Sequence, residues 1–219
     1  MDKDRQLARE LAKEMPFKEK LQHFWYYYKP HTLALIFALA VIVWSAVQCA
    51  NRVDYDLDIS FYSERYVEEE ALAEFDLFLE TLCDDINENG VVDAQAYLFL
   101  GNITEEYLDQ NAQATLTKLQ SEIAMGECPA YIVDEAYKNY IEMFTKDMGI
   151  IENITEITDA PVIREIFNPG EGVKLYFISI VEYDTQKGNE ELLKERENMK
   201  KVESYFVDSL KQKKEGCQI

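Results

Sequence analysis

The stretch "YDLDISFYS", Tyr55 to Ser63, alternates Leu57, Ile59 and Phe61 with Asp56, Asp58 and Ser60. A period of two places the apolar set on one face of an extended strand. The stretch that follows, "VEEEALAEFDLFLETLC" (67–83), changes period. Leu72, Phe75, Leu79 and Leu82 share one helical face, and the acids of its first turn suit the helix dipole. "VVDAQAYLFLG" (91–101) alternates again. "TEEYLDQNAQATLTKLQSEIAMG" (104–126) returns to helical spacing, with Leu116, Leu119 and Ile123 inward and Gly126 as its stop. "PAYIVD" (129–134) reads as a short strand and 135–148 as a helix closed by Gly149.

Strands and helices alternating at these lengths predict crossover units and an α/β fold with a mostly parallel sheet. Pro161, Pro169 and nearby glycines make 150–171 read as a loop-rich excursion. "VKLYFISIV" (173–181) is the clearest buried strand. "NEELLKERENMKKVESYFVDSLKQKK" (189–214) closes the chain as an amphipathic helix with the stripe Leu192, Met199, Val202, Phe206 and Leu210.

Upstream, "QHFWYYYKPHTLALIFALAVIVWSAVQCANR" runs from Gln22 to Arg52, and His31 to Ala50 carries no charge. Twenty helical residues rise about 30 Å, the thickness of a bilayer's hydrocarbon core. Trp25, Tyr26, Tyr27 and Tyr28 sit where interfacial rings are expected, and Lys29 and Arg52 bracket the segment. A cleaved signal fits less well, because the preceding residues are numerous and carry acids as well as bases. Seven bases precede the span, whereas only Arg52 and Arg65 fall within the first twenty residues after it. The positive-inside rule then predicts a single-pass protein of the cell membrane, with a cytoplasmic N-terminus and residues 51–219 extracellular. Residues 1–30 read as a cytoplasmic juxtamembrane helical segment, from Leu7, Leu11, Pro16, Phe17, Leu21 and Phe24. The transmembrane helix is 31–50, and the bilayer itself is the first partner.

Residues 51–219 hold thirty-seven acids against fifteen bases, so this domain is repelled by nucleic acid and by anionic head groups. It contains no histidine, which excludes Ser-His-Asp and Cys-His nucleophile systems built from its own residues. No P-loop, dinucleotide-glycine or metalloprotease pattern is present. Cys83, Cys128 and Cys217 are too widely spaced for a metal site and read as free thiols, with a Cys83–Cys128 bridge as the alternative. Asn102-Ile-Thr104 and Asn153-Ile-Thr155 match the glycosylation sequon, which chance explains as well.

Two groups of residues are candidates for binding. "DINENGVVD" places Asp85, Asn87 and Asn89 at positions 1, 3 and 5 of a calcium loop. Gly90 falls at the sharp turn, Val91 at the carbonyl position and Asp93 at position 9. The departure is Ala96 at position 12, where a bidentate Glu is the rule, so a remote carboxylate would have to complete the shell of a Ca2+ ion. An Asn-Gly turn between helix and strand explains the same residues. The second group lies on the loops after the strands, where α/β sheets bind ligands: Ser63, Glu64, Asn102, Asp134 and Glu135.

The run "FWYYYKPH" leading into one span, followed by "YDLDISFYS" and an acidic α/β domain, resembles a group of uncharacterised single-pass membrane proteins from Gram-positive, clostridial-type bacteria. The resemblance covers the anchor and the first half of the outer domain. It implies the same topology and a cell-envelope setting, and it supplies no catalytic or binding residues. The sequence is thus read as a non-enzymatic, membrane-anchored envelope protein that binds a protein partner. A tethered solute-binding module is the alternative.

Overall fold

The computed structural model describes residues 16–50, 55–104, 108–183 and 190–216. The chain divides into two compact units, Met1–Val53 and Asp54–Ile219.

The first unit contains α1 (Phe17–Ala50), one helix of 34 residues with Pro30 inside it. Sequence spacing predicts a juxtamembrane piece over 1–30 and a span over 31–50, and among the described residues one helix runs from Phe17 through the span without a break. Pro16 stands just before its first residue, where a missing N–H costs no hydrogen bond. Lys29–Gln48 has a mean hydropathy of 2.0 and is nowhere buried. Its length and composition are compatible with a membrane span, and also with a signal sequence. Trp25 and Lys29 are exposed on this helix. Arg52, Leu7, Leu11 and Cys217 lie outside the described residues.

The second unit follows the order β1 (Leu57–Ser63), α2 (Glu69–Glu80), β2 (Ala94–Leu100), α3 (Gln110–Met125), β3 (Ala130–Asp134), α4 (Glu135–Thr145), β4 (Ile151–Glu156), α5 (Pro161–Ile166), β5 (Leu175–Ile180) and α6 (Glu190–Gly216). The strands form one sheet in the order β2-β1-β3-β5-β4. β1 pairs in parallel with β2 and β3. β5 runs antiparallel to both β3 and β4. The sheet is therefore mixed, and the parallel reading holds only for its β2-β1-β3 end. The reason lies in the connection: α5 has six residues and rises about 9 Å, too short to carry the chain back along a strand.

The excursion expected over 150–171 holds β4 and α5. β4 escapes a period-two reading because it is an edge strand whose side chains are half-buried or exposed on both faces. Pro161, read as a breaker, is the first residue of α5, a position that tolerates proline.

Both faces of the sheet are covered. On one, Leu57, Ile59 and Phe61 of β1 meet Phe75 and Leu79 of α2, Ile163 of α5 and Met199, Val202 and Phe206 of α6. On the other, Tyr62, Tyr131 and Ile178 meet Leu119 and Ile123 of α3 and Tyr137 and Ile141 of α4. Each fully buried Phe or Leu contributes about 1.5–3 kcal/mol relative to exposure. Cys83 belongs to the first cluster and Cys128 to the second, so both are free and the sheet separates them. The alternative bridge is thereby ruled out.

The caps set the helix ends. Asp109 accepts a hydrogen bond from Ala112 N–H at 2.7 Å and starts α3. Gly126 ends it at φ 69, where a Cβ would also strike the Tyr183 ring at 2.6 Å.

Candidate functional site

The chain passes from β2 back across β1 to β3, so strand order reverses between β1 and β3. Their carboxyl ends form the crevice where open α/β sheets place ligands. A cleft of about 300 Å3 lies there. Glu64 and Arg65 reach it from the end of β1, Thr104 from beyond β2, and Asp134, Glu135 and Asn139 from β3 and α4. Gly172, Val173 and Lys174 close its remaining side.

Asp134 is the pivot. Its Oδ2 accepts from Glu64 N–H at 2.7 Å and from Ser63 Oγ–H at 3.3 Å, while Oδ1 accepts from Tyr137 N–H at 3.1 Å as the cap of α4. Burial pushes its carboxyl above the usual range, against the pull of the Glu64 and Tyr137 amides. Glu64 Oε1 accepts from Ile103 and Thr104 N–H, both at 2.8 Å. These carboxylates tie the ends of three elements together. Arg65 and Lys174, by contrast, enter no ion pair among the described residues, and Tyr66, next to Arg65 in the chain, is 71% exposed.

Of the rim residues named from sequence, Glu64, Asp134 and Glu135 meet in the cleft. Ser63 lies beneath it, buried at 3% exposure, and its Oγ accepts from Arg65 N–H. Asn102 does not line the cleft; its Oδ1 accepts from the N–H and Oγ–H of Thr104. Sequence reasoning missed Arg65, Thr104, Asn139 and Lys174. The signal for Lys174 was the direction of β5: only an antiparallel β5 brings its first residues to the rim where β3 ends.

The Asp85–Asp93 loop is a tight turn at the opposite rim. Asp85 accepts from Gly90 N–H at 2.8 Å and Asn89 N–H at 3.3 Å; Asn87 Oδ1 accepts from Asn89 N–H, and Asn89 Oδ1 from Val91 N–H. Glu88 and Gly90 take the left-handed conformation the turn requires. The loop is braced from outside by Asp56, which is fully buried. Its Oδ1 accepts from Ile86 and Asn87 N–H, and its Oδ2 from Asp93 N–H at 2.9 Å. Asn198 of α6 adds bonds to both the carbonyl and the N–H of Asp84. At position 12, Ala96 N–H donates to Asp76 Oδ1 at 2.7 Å. Among the described residues, no three His, Cys, Asp or Glu side chains are grouped to hold a metal ion.

The remaining chemistry is buried. Glu122 is 4% exposed and accepts from Tyr62 OH at 2.7 Å and Ser60 Oγ–H at 3.2 Å, with Lys118 Nζ at 3.1 Å. Burial pushes the Cys83 and Cys128 thiols up to about 12, leaving neither as a thiolate near neutrality. The chain matches no protein-family model, no curated protein and no solved structure.

Proposed function

We propose that the protein is a non-enzymatic, membrane-anchored component of the cell envelope whose acidic outer domain binds another protein, as an accessory or scaffolding subunit. The anchor is α1, inserted with the N-terminus in the cytoplasm, as the excess of bases before the span directs. The observation that carries the reading is Tyr66, 71% exposed and flanked by Arg65, at the rim where the strands end. Tyr and Arg are the residue types that dominate protein interfaces. Of the cleft's carboxylates, Asp134 and Glu64 are engaged with backbone N–H groups of the fold, which takes two of its acids out of solute binding.

The position of the cleft, at the reversal of strand order, favours one second reading: a tethered solute-binding module. One experiment separates the two. A photo-crosslinking residue at position 66 of the full chain, in native membranes, is expected to capture one stoichiometric envelope protein. Combining Arg65→Ala and Tyr66→Ala should abolish its co-purification. Recovery of the protein alone defeats the subunit reading; a thermal shift with a small solute, lost on Lys174→Ala, would establish the module instead.

A further inference from the structure

We infer that Asn89-Gly90 is a self-modification site, where the Gly90 backbone nitrogen closes onto the Asn89 side chain and turns it into a carboxylate, with Asp85 as the base. An asparagine side chain is an amide electrophile, and the nearest nucleophile is the backbone nitrogen of the next residue. A side chain on that residue shields the nitrogen, and glycine leaves it open. Of the asparagines in the chain, Asn89 alone precedes a glycine. It is exposed in the 85–93 turn, and a Cβ at Gly90 would meet nothing within 4 Å, so water reaches the peptide freely.

The turn holds the reacting groups in place. Val91 N–H donates to Asn89 Oδ1 at 2.7 Å, so the side chain folds back over the Gly90 peptide. That N–H also stands where negative charge develops on Oδ1 as Cγ is attacked. Gly90 N–H donates to Asp85 Oδ2 at 2.8 Å. The proton is met in the amide plane, which leaves the face of the nitrogen to Cγ. Asp85 Oδ1 accepts from Asn89 N–H at 3.3 Å and steadies the carboxylate in this position. Asp85 is therefore aimed at the one proton the closure must remove.

The bond from Gly90 N to Asn89 Cγ forms as the Gly90 proton passes to Asp85. The Cγ–Nδ2 bond then breaks, and the side-chain nitrogen takes up that proton and leaves as ammonia. Water opens the resulting five-membered imide at either carbonyl. One product is aspartate at position 89, and the other is isoaspartate, whose backbone runs through the former side chain. Either product adds one negative charge to this rim. The bonds of Asp56 to Ile86, Asn87 and Asp93 lie outside the reacting peptide and hold the loop's ends throughout. This chemistry needs only water and is independent of any partner at Tyr66.

Peptide mapping by mass spectrometry of the full chain in lipid nanodiscs, aged in neutral buffer, tests this. Asn89 should convert to aspartate and isoaspartate faster than in the same chain unfolded in urea. Asn102 and Asn153, each followed by isoleucine, should stay unchanged and serve as internal standards. Closure driven by hydroxide speeds up about tenfold per pH unit, whereas a carboxylate base does not depend on hydroxide. The native rate should therefore vary less than about threefold between about pH 6 and about pH 8. Asp85→Asn should slow conversion at least about tenfold and restore the hydroxide dependence. A native rate at or below the unfolded one overturns the site, as does an unchanged rate in Asp85→Asn. If that variant does not fold, the wild-type pH profile decides alone: a flat profile supports Asp85 as the base, and a hydroxide slope overturns it.

Discussion

At the rim where β1 and β3 end, Asp134 gathers three donors and Glu64 two. At the opposite rim the carboxylates divide: Asp56 gathers three amides, while Asp58, two residues further along the chain, leaves Oδ1 with none. These side chains are chemically alike, and what differs is the supply of N–H groups around each. A carboxylate surrounded by donors is a brace that fixes loops. A carboxylate without them is strained when ionised and answers to protons. In a domain with thirty-seven acids, that distinction separates structure from response.

Removing the Asp56 brace is the severest way to test the contrast. Asp56→Ala leaves the amides of Ile86, Asn87 and Asp93 without their acceptor, and should cost about 3 kcal/mol or more in urea unfolding of the full chain. A loss under about 1 kcal/mol would mean the loop closes without it. Next in size is Tyr62→Phe. It deletes the 2.7 Å bond to buried Glu122 while Ser60 and Lys118 remain, so about 2 kcal/mol is expected by the same measurement.

The poorly supplied pair gives the opposite signature, in pH and not in mutation alone. Burial makes Asp58 and Glu195 bind protons more tightly folded than unfolded. Their contribution to stability is therefore fully present below the unfolded carboxyl pKa, near 4, and is lost as pH rises through about 6 to 7. Both groups are only partly buried, so on the order of 1–2 kcal/mol should disappear between about pH 5 and about pH 8. Asp58→Asn should flatten that slope. A stability that rises over the same interval in both proteins would remove the contrast between the rims.

How much of this was legible in the sequence follows from periodicity. α2, α3 and α4 and strands β1, β2 and β3 are visible because apolar residues recur at 3.6 or 2 and Gly126 and Gly149 punctuate them. β4 is invisible because an edge strand has no clean inward face. The direction of β5 is not written in its residues, since a strand buried on both sides reads the same either way, and the cleft's Lys174 was lost with it. Asp56, Asp58 and Ser60 look like the wet side of a two-faced strand; the fold buries Asp56 and Ser60 and half-buries Asp58, and that turns them into a brace, a partner for Glu122 and an orphan. Glu195 looked like one more solvated acid on an amphipathic helix, and only the fold brings it to Asp58.

The smallest effect sharpens the comparison within one rim. Asp85 is only half-buried and bonds only amides of its own loop, so Asp85→Ala should cost about 0.5–1 kcal/mol, well below Asp56→Ala. The same substitution decides the calcium reading of 85–93. A bound ion at one hundred times its Kd would add about 2.7 kcal/mol, easily seen as a rise in Tm. The geometry leads us to expect equal Tm in calcium and in chelator: position 12 is Ala96, and the carboxylate nearest to that point in the fold, Asp76, is occupied by the Ala96 N–H. A calcium-dependent rise that Asp85→Ala abolishes would make the loop a metal site. It would also show that a half-buried carboxylate bonded to its own turn can be recruited by a cation, whereas Asp56, fixed from both oxygens beneath it, cannot.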